Sequence, residues 1–135
     1  MGTKGTRTGI PGKIVLDAGD LIAYERGNRQ ARALVREVAL IGEIVVPSSA
    51  LAQAWRGGPR SAPLAPLLEA STVDALDEGR AKEVGTRLGA RGATDVADAH
   101  VVCTAVALNA EVATSDTTDI QGLAEAGESL RLIAI

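Results

Sequence analysis

The sequence predicts an α/β fold, a single domain whose mostly parallel central sheet of four to five strands is flanked by helices. Three observations predict it. Short apolar, largely β-branched runs recur along the chain, among them Ile14-Val15-Leu16 and Ile44-Val45-Val46. Such runs, without polar alternation, mark strands buried on both faces. Segments of helical periodicity separate them, and strands alternating with helices pair in parallel because each return path crosses the sheet. The length of 135 residues favours one domain, and the chain has no internal repeat or low-complexity tract.

The elements follow in order. Residues 1–12, MGTKGTRTGIPG, are rich in Gly and Thr without periodicity and read as a flexible leader, and residues 13–135 as the domain. Ile14 to Leu16 is the first strand, ending in Asp17. Residues 20–26 make a short helix, and residues 28–40 a longer one, with Ala31, Leu34, Val35 and Val38 at helical spacing. Ile44 to Val46 is the second strand. Ser48 or Ser49 is the expected cap of a helix that stops at Gly57-Gly58-Pro59. A short helix is expected over residues 61–69, a third strand over Thr72 to Leu76, and a helix capped by Asp77 from Glu78 to about Gly89. Asp95 opens a long apolar helix to about Asn109. Glu111 to Thr114 is a fourth strand, residues 118–125 a short helix, and Leu130 to Ile135 the last strand.

Composition excludes several classes. Hydrophobic residues at 46% and charged residues at 23% are ordinary globular usage and argue against wholesale disorder. One Trp, one Tyr and no Phe leave a core of Ala, Val, Leu and Ile, and almost no material for stacking bases. A net charge of −3 argues against tight, purely electrostatic binding of nucleic acid and predicts weak, salt-sensitive association. One cysteine, Cys103, cannot form a disulfide within the chain and reads as a small buried hydrophobe. Neither a signal peptide nor an apolar stretch of spanning length is visible, so a cytoplasmic protein without membrane contact is expected.

The chemistry lies in the acids. Open α/β sheets bind ligands outside the carboxyl ends of their strands. Asp17 follows the first strand, Asp116 follows the fourth, and Asp98 stands near the start of the helix before the fourth. Brought to one edge, three carboxylates repel unless a divalent cation joins them, and oxygen ligands suit Mg²⁺ or Mn²⁺. Metal-assisted hydrolysis of a phosphodiester needs no protein nucleophile. A phosphatase of the haloacid-dehalogenase type also has an Asp after its first strand. It needs a second Asp two residues on, where this chain has Gly19.

IVLDAGDLIAYERG resembles the opening of PIN domains. VVPSSALAQAWRGG looks like their second motif, and DVADAHVVCTAVALNAEVATSD like their third and fourth. These blocks cover most of residues 13–120, and their order and spacing resemble the VapC toxins, small cytoplasmic ribonucleases neutralised by a partner antitoxin. The resemblance implies a metal-dependent endoribonuclease cutting tRNA, ribosomal RNA or messenger RNA by a metal-activated water. It implies Mg²⁺ or Mn²⁺ as cofactor, a VapB-like antitoxin as partner, and a homodimer. It places Asp17, Asp98 and Asp116 as catalytic metal ligands, and Asp119 as an additional acid that reaches the metal through water. Gln53 departs from the pattern, because family members usually have Glu there. A neutral amide can orient a water but cannot neutralise a cation. Gln53 therefore supports an alternative, a catalytically weak or silent PIN-fold module that binds RNA or a partner.

Other residues carry two readings each. The Ser115 and Thr114 hydroxyls bond the acid cluster or cap the next helix. Asp20 and Asp95 cap helices or stand in the outer shell of the metal. Glu25 is a surface charge or a positioner of Arg26. Arg26, Arg29, Arg56 and Arg60 hold RNA phosphates or line a solvated face. Trp55 and Tyr24 pack against a neighbouring helix, meet the antitoxin or stack on a base. His100, two residues after Asp98, points away from it on a helix and reads as a non-ligand.

Overall fold

The computed structural model describes residues 12–135, so the expected leader, Gly12 apart, lies outside the described residues. Five strands, β1 (Lys13–Leu16), β2 (Glu43–Pro47), β3 (Thr72–Asp74), β4 (Glu111–Thr114) and β5 (Arg131–Ala134), form one sheet in the order β3-β2-β1-β4-β5. Every pairing is parallel. The central strands are apolar because both of their faces are covered: Ile14, Val15, Leu16, Ile44, Val45, Val46 and Val112 are all at most 1% exposed. The outer strands β3 and β5 are only partly covered.

Eight helices make the crossovers. α1 (Ala18–Glu25) and α2 (Arg29–Ile41) join β1 to β2. α3 (Ser48–Ala54), α4 (Gly58–Ser61) and α5 (Leu64–Glu69) lead to β3. α6 (Glu78–Arg91) and α7 (Val96–Leu108) return the chain to β4, and α8 (Thr117–Gly122) precedes β5. From β1 the chain winds outward to β3, then comes back to lay β4 on the other side of β1. The carboxyl ends of β1 and β4 therefore flank the point where strand order reverses, and Leu16 pairs with Ala113 there. Such switch points leave a crevice that connections do not cover.

Helix ends follow the side chains available. The carboxylates of Asp77 and Asp95 accept the N–H of Arg80 and Asp98 and start α6 and α7 as expected. Gly92 and Asn109 end these helices in the left-handed conformation. α7 is apolar nearly all round, with Ala99, Val101 and Val102 fully buried, so it is the central helix of its layer.

Two local expectations are corrected. The helix after β2 begins at Pro47 without a side-chain cap, and Ser48 and Ser49 are already helical. Their hydroxyls are used elsewhere: Ser48 Oγ accepts the Leu76 N–H at 2.9 Å, and Ser49 Oγ meets His100 Nδ1 at 2.7 Å. Leu76 is bonded to Ser48 rather than to the sheet, and β3 stops at Asp74. The expected helix over residues 61–69 starts only at Leu64, as α5, and the one-turn α4 ends at Ser61 before it. Ser61 Oγ turns back to accept the N–H groups of Arg56 and Gly57, and Pro63 has no N–H with which to continue α4. No helix among the described residues is long and apolar enough to cross a membrane.

Candidate metal centre

Three carboxylates converge beside the switch point. Asp98 stands in the first turn of α7, where its N–H is held by Asp95 Oδ1 at 2.9 Å. Asp116 follows β4, and its N–H donates to Thr114 Oγ1 at 2.9 Å. That bond orients the backbone, and the Asp116 side chain is left uncommitted to capping α8. Asp119 lies in the first turn of α8. One oxygen from each of the three lies within 4.8 Å of the others. No Lys or Arg among the described residues forms an ion pair with any of them.

The electrostatics register this crowding. Burial, then the charges of Asp95, Asp17, Asp116 and Asp119, push the Asp98 carboxyl up to about 6. A hydrogen bond with Asp116, then its charge, raises the Asp119 carboxyl above its ordinary value. Like charges this close resist common ionisation. A hard divalent cation removes that resistance, so the donor set fits Mg²⁺ or Mn²⁺.

Asp17 sits slightly apart. It is buried, and its Oδ1 accepts the Asp20 N–H at 2.8 Å while Asp20 Oδ2 accepts the Asp17 N–H at 2.9 Å. This reciprocal box starts α1. Asp17 is near enough to raise Asp98, but it is not one of the three carboxylates that meet within 4.8 Å. Gly19 lies against it: a Cβ there would be 3.4 Å from Asp17 Oδ1 and 3.8 Å from Ser115 Oγ. Asp20 is 3% exposed. Burial, then the charge of Asp17, pushes its carboxyl up to about 9. Asp20 is therefore protonated at neutral pH. The capping reading of Asp20 was visible in its spacing from Asp17, and its neutrality was not.

The other expected residues divide. Thr114 Oγ1 serves the Asp116 backbone, and Ser115 is exposed at the edge of the acids. Gln53 is exposed on α3. Glu25 is corrected from a surface charge or a partner of Arg26: its side chain is 5% exposed and pairs with Arg60 at 3.3 Å. Arg56 is exposed and donates to Trp55 O at 2.8 Å. Arg26 is exposed after α1, and Trp55 is 41% exposed at the end of α3.

His100 is fully buried and turned from the acids, as its spacing implied. Its Nε2 donates to Asp74 Oδ2 at 2.8 Å, and its Nδ1 accepts from Ser49. Burial lowers its pKa, an effect only partly offset by Asp74, so the ring is neutral. Burial opposes ionisation of Asp74, but hydrogen bonds from Arg80, His100 and Thr104 outweigh it and hold that carboxyl below its ordinary value. This network ties α3, α6 and α7 to the end of β3 through His100, which lies two residues after Asp98.

A second tie holds α8. Arg87 on α6 donates to Leu123 O at 2.9 Å, the residue that ends α8, and to Cys103 Sγ on α7 at 3.3 Å. Its guanidinium also grips both oxygens of Glu128, at 2.6 and 2.9 Å. A cleft of about 390 Å³ opens beside Asp98 and Asp119.

No protein-family model matches the chain, and no curated protein matches it as a relative. Solved structures do resemble it. A chain of VapBC2 from Rickettsia felis, bound to a DNA fragment from their promoter, superposes with a TM-score of 0.61 at 15% identity, over 91% of this chain and 98% of that one. A chain of FitAB bound to an IR36 DNA fragment superposes with a TM-score of 0.63, also at 15% identity, over 90% and 94%. At that identity the likeness is one of fold, and it shows a PIN-like α/β domain.

Proposed function

We propose that the protein is a metal-dependent endoribonuclease and the toxin of a toxin–antitoxin pair. The observation that carries the chemistry is the meeting of Asp98, Asp116 and Asp119 within 4.8 Å at an uncovered sheet edge, with no cation of the chain pairing them. A set of carboxylates that raise one another's pKa is costly, and a divalent cation is the ligand that repays the cost. Asp98, Asp116 and Asp119 would hold Mg²⁺ or Mn²⁺, with Asp17 beside them. The bound cation supplies Lewis acidity and makes water a nucleophile near neutral pH.

The chain's own part is positional. Thr114 fixes the backbone from which Asp116 projects. Asp95 fixes the first turn that carries Asp98. Asp20, protonated, steadies Asp17 without adding charge. RNA as substrate and an antitoxin as partner rest on the motif resemblance, with support from a fold shared with chains of VapBC2 and FitAB. Gln53 supports a second reading, a PIN-fold module that binds RNA without cutting it.

The test is incubation of purified protein with a pool of tRNA and ribosomal RNA, in Mg²⁺, in Mn²⁺ and in EDTA, beside Asp98→Asn and Asp17→Ala. Discrete products that need metal and both carboxylates are expected. RNA retained uncut under every condition would transfer the reading to the silent binder.

A further inference from the structure

The cleft of about 390 Å³ beside the acids has an uneven lining. Asp95, Asp98 and Asp119 contribute carboxylates, Thr94 and Thr118 hydroxyls, and the largely buried Leu123 an apolar side chain; Arg91 contributes the one positive charge. Arg91 is in the last turn of α6 and is exposed. Among the described residues it forms no hydrogen bond or ion pair, although its charge helps lower the Glu128 carboxyl. By contrast Arg60 and Arg87 are each paired with a carboxylate, and Arg56 is bonded to its own backbone neighbour. Arg91 is thus a free guanidinium in the lining of the cleft that holds Asp98 and Asp119, and one that the sequence motifs did not single out.

We propose that this cleft seats the nucleotide adjacent to the scissile bond of a single-stranded RNA, with Arg91 holding its phosphate. The inference rests on the nuclease reading above and adds a substrate subsite to it. The volume lies at the low end of the roughly 300–1,000 Å³ of small-ligand pockets, room for one nucleotide. Where a cation held by the carboxylates would meet one phosphate of an extended strand, Arg91 can meet the next by a planar, two-pronged contact. The two exposed threonine hydroxyls can bond sugar or phosphate oxygens. No aromatic side chain lines the cleft, so the base there is not gripped by stacking and its identity matters little.

The test measures anisotropy of a labelled oligouridylate with wild type, Arg91→Gln and Arg91→Lys in Ca²⁺ across a salt series, and cleavage by the same proteins in Mn²⁺. Arg91→Gln is expected to bind about tenfold more weakly, the loss of one charge-assisted contact. Its salt dependence should be shallower by about 0.7 in log–log slope, the share of one phosphate on a single strand. Arg91→Lys should restore the slope and part of the affinity, because it keeps the charge and loses the fork. Calorimetric Mn²⁺ affinity should not fall in either variant. Wild-type cleavage together with unchanged affinity and slope in Arg91→Gln would overturn the subsite and leave the nuclease standing. A wild type that cuts nothing in Mn²⁺ would overturn the nuclease reading itself, and the subsite with it.

Discussion

At Asp98 the main chain and the side chain serve different ends: the N–H completes the cap of α7, and the carboxylate faces four other acids. The capping half is legible in Asp95-x-x-Asp98, because the bond spans a fixed three residues. The repulsive half depends on Asp17, Asp116 and Asp119, which are distant in sequence. Asp98→Asn should therefore abolish metal-dependent cleavage and leave the melting temperature equal or higher in EDTA, since it removes repulsion without removing the cap. A variant with wild-type Mn²⁺ affinity by calorimetry would remove Asp98 from the ligand set. Asp20 sets a pH prediction. Its pKa is raised from 3.8 to about 9, so it binds its proton more tightly in the fold than in the unfolded chain. Its contribution favours the fold at low pH and is lost as the pH rises through that window, on the order of 1 kcal/mol per pH unit. Asp20→Asn keeps an oxygen for the Asp17 N–H and cannot ionise. It should melt above wild type at pH 8 and no higher at pH 4, in EDTA. Parallel melting curves across pH would show that Asp20 is not buried in its protonated form.

Two elements carry the three converging acids, and they are held very differently. α7 is buried on nearly every side and pinned by the Ser49–His100–Asp74 chain. α8 is six residues long, and its far end is held by Arg87 through Leu123 O. Because Arg87 also touches Cys103 on α7, it ties the helix bearing Asp98 to the helix that follows Asp116 and bears Asp119. Arg87→Met should cost about 3 kcal/mol in denaturant unfolding, the scale for removing one partner of a buried pair, and should weaken Mn²⁺ binding although Arg87 is not a ligand. An unfolding loss with unchanged Mn²⁺ affinity would confine Arg87 to stability. Neither tie was legible in the sequence. Arg87 and Glu128 are 41 residues apart, and an Arg in an amphipathic helix reads as a solvated charge until the fold buries it. The strands and the longer helices were legible, because apolar runs and 3.6-residue spacing are local signals. The misplaced helix start near Ser48 failed for the opposite reason: its hydroxyl bonds Leu76, which the sequence alone does not bring near.

For the whole molecule, cation binding and folding are linked. A ligand that binds only the folded state stabilises it by about 2.7 kcal/mol at a hundredfold excess over its dissociation constant. Mn²⁺ should raise the melting temperature, and by more at pH 7.5 than at pH 5, because protons compete for Asp98 below its pKa of about 6. A shift independent of pH would place the cation elsewhere. With a net charge of −3, association with RNA should be weak without divalent cation and fall steeply with salt.

The sequence by itself determined the α/β class, the parallel pairing of its strands and the positions of Asp17 and Asp116 at strand ends, since each follows from short-range periodicity and the geometry of a crossover. Only the tertiary structure decided that Asp98, Asp116 and Asp119 meet while Asp17 is drawn into a capping box. It alone left Arg91 free beside them and paired Arg60 and Arg87. The physical reason is that charge interactions and hydrogen bonds between side chains depend on distances of a few ångströms, and those distances exist only once the strand order has folded remote segments onto one edge of the sheet.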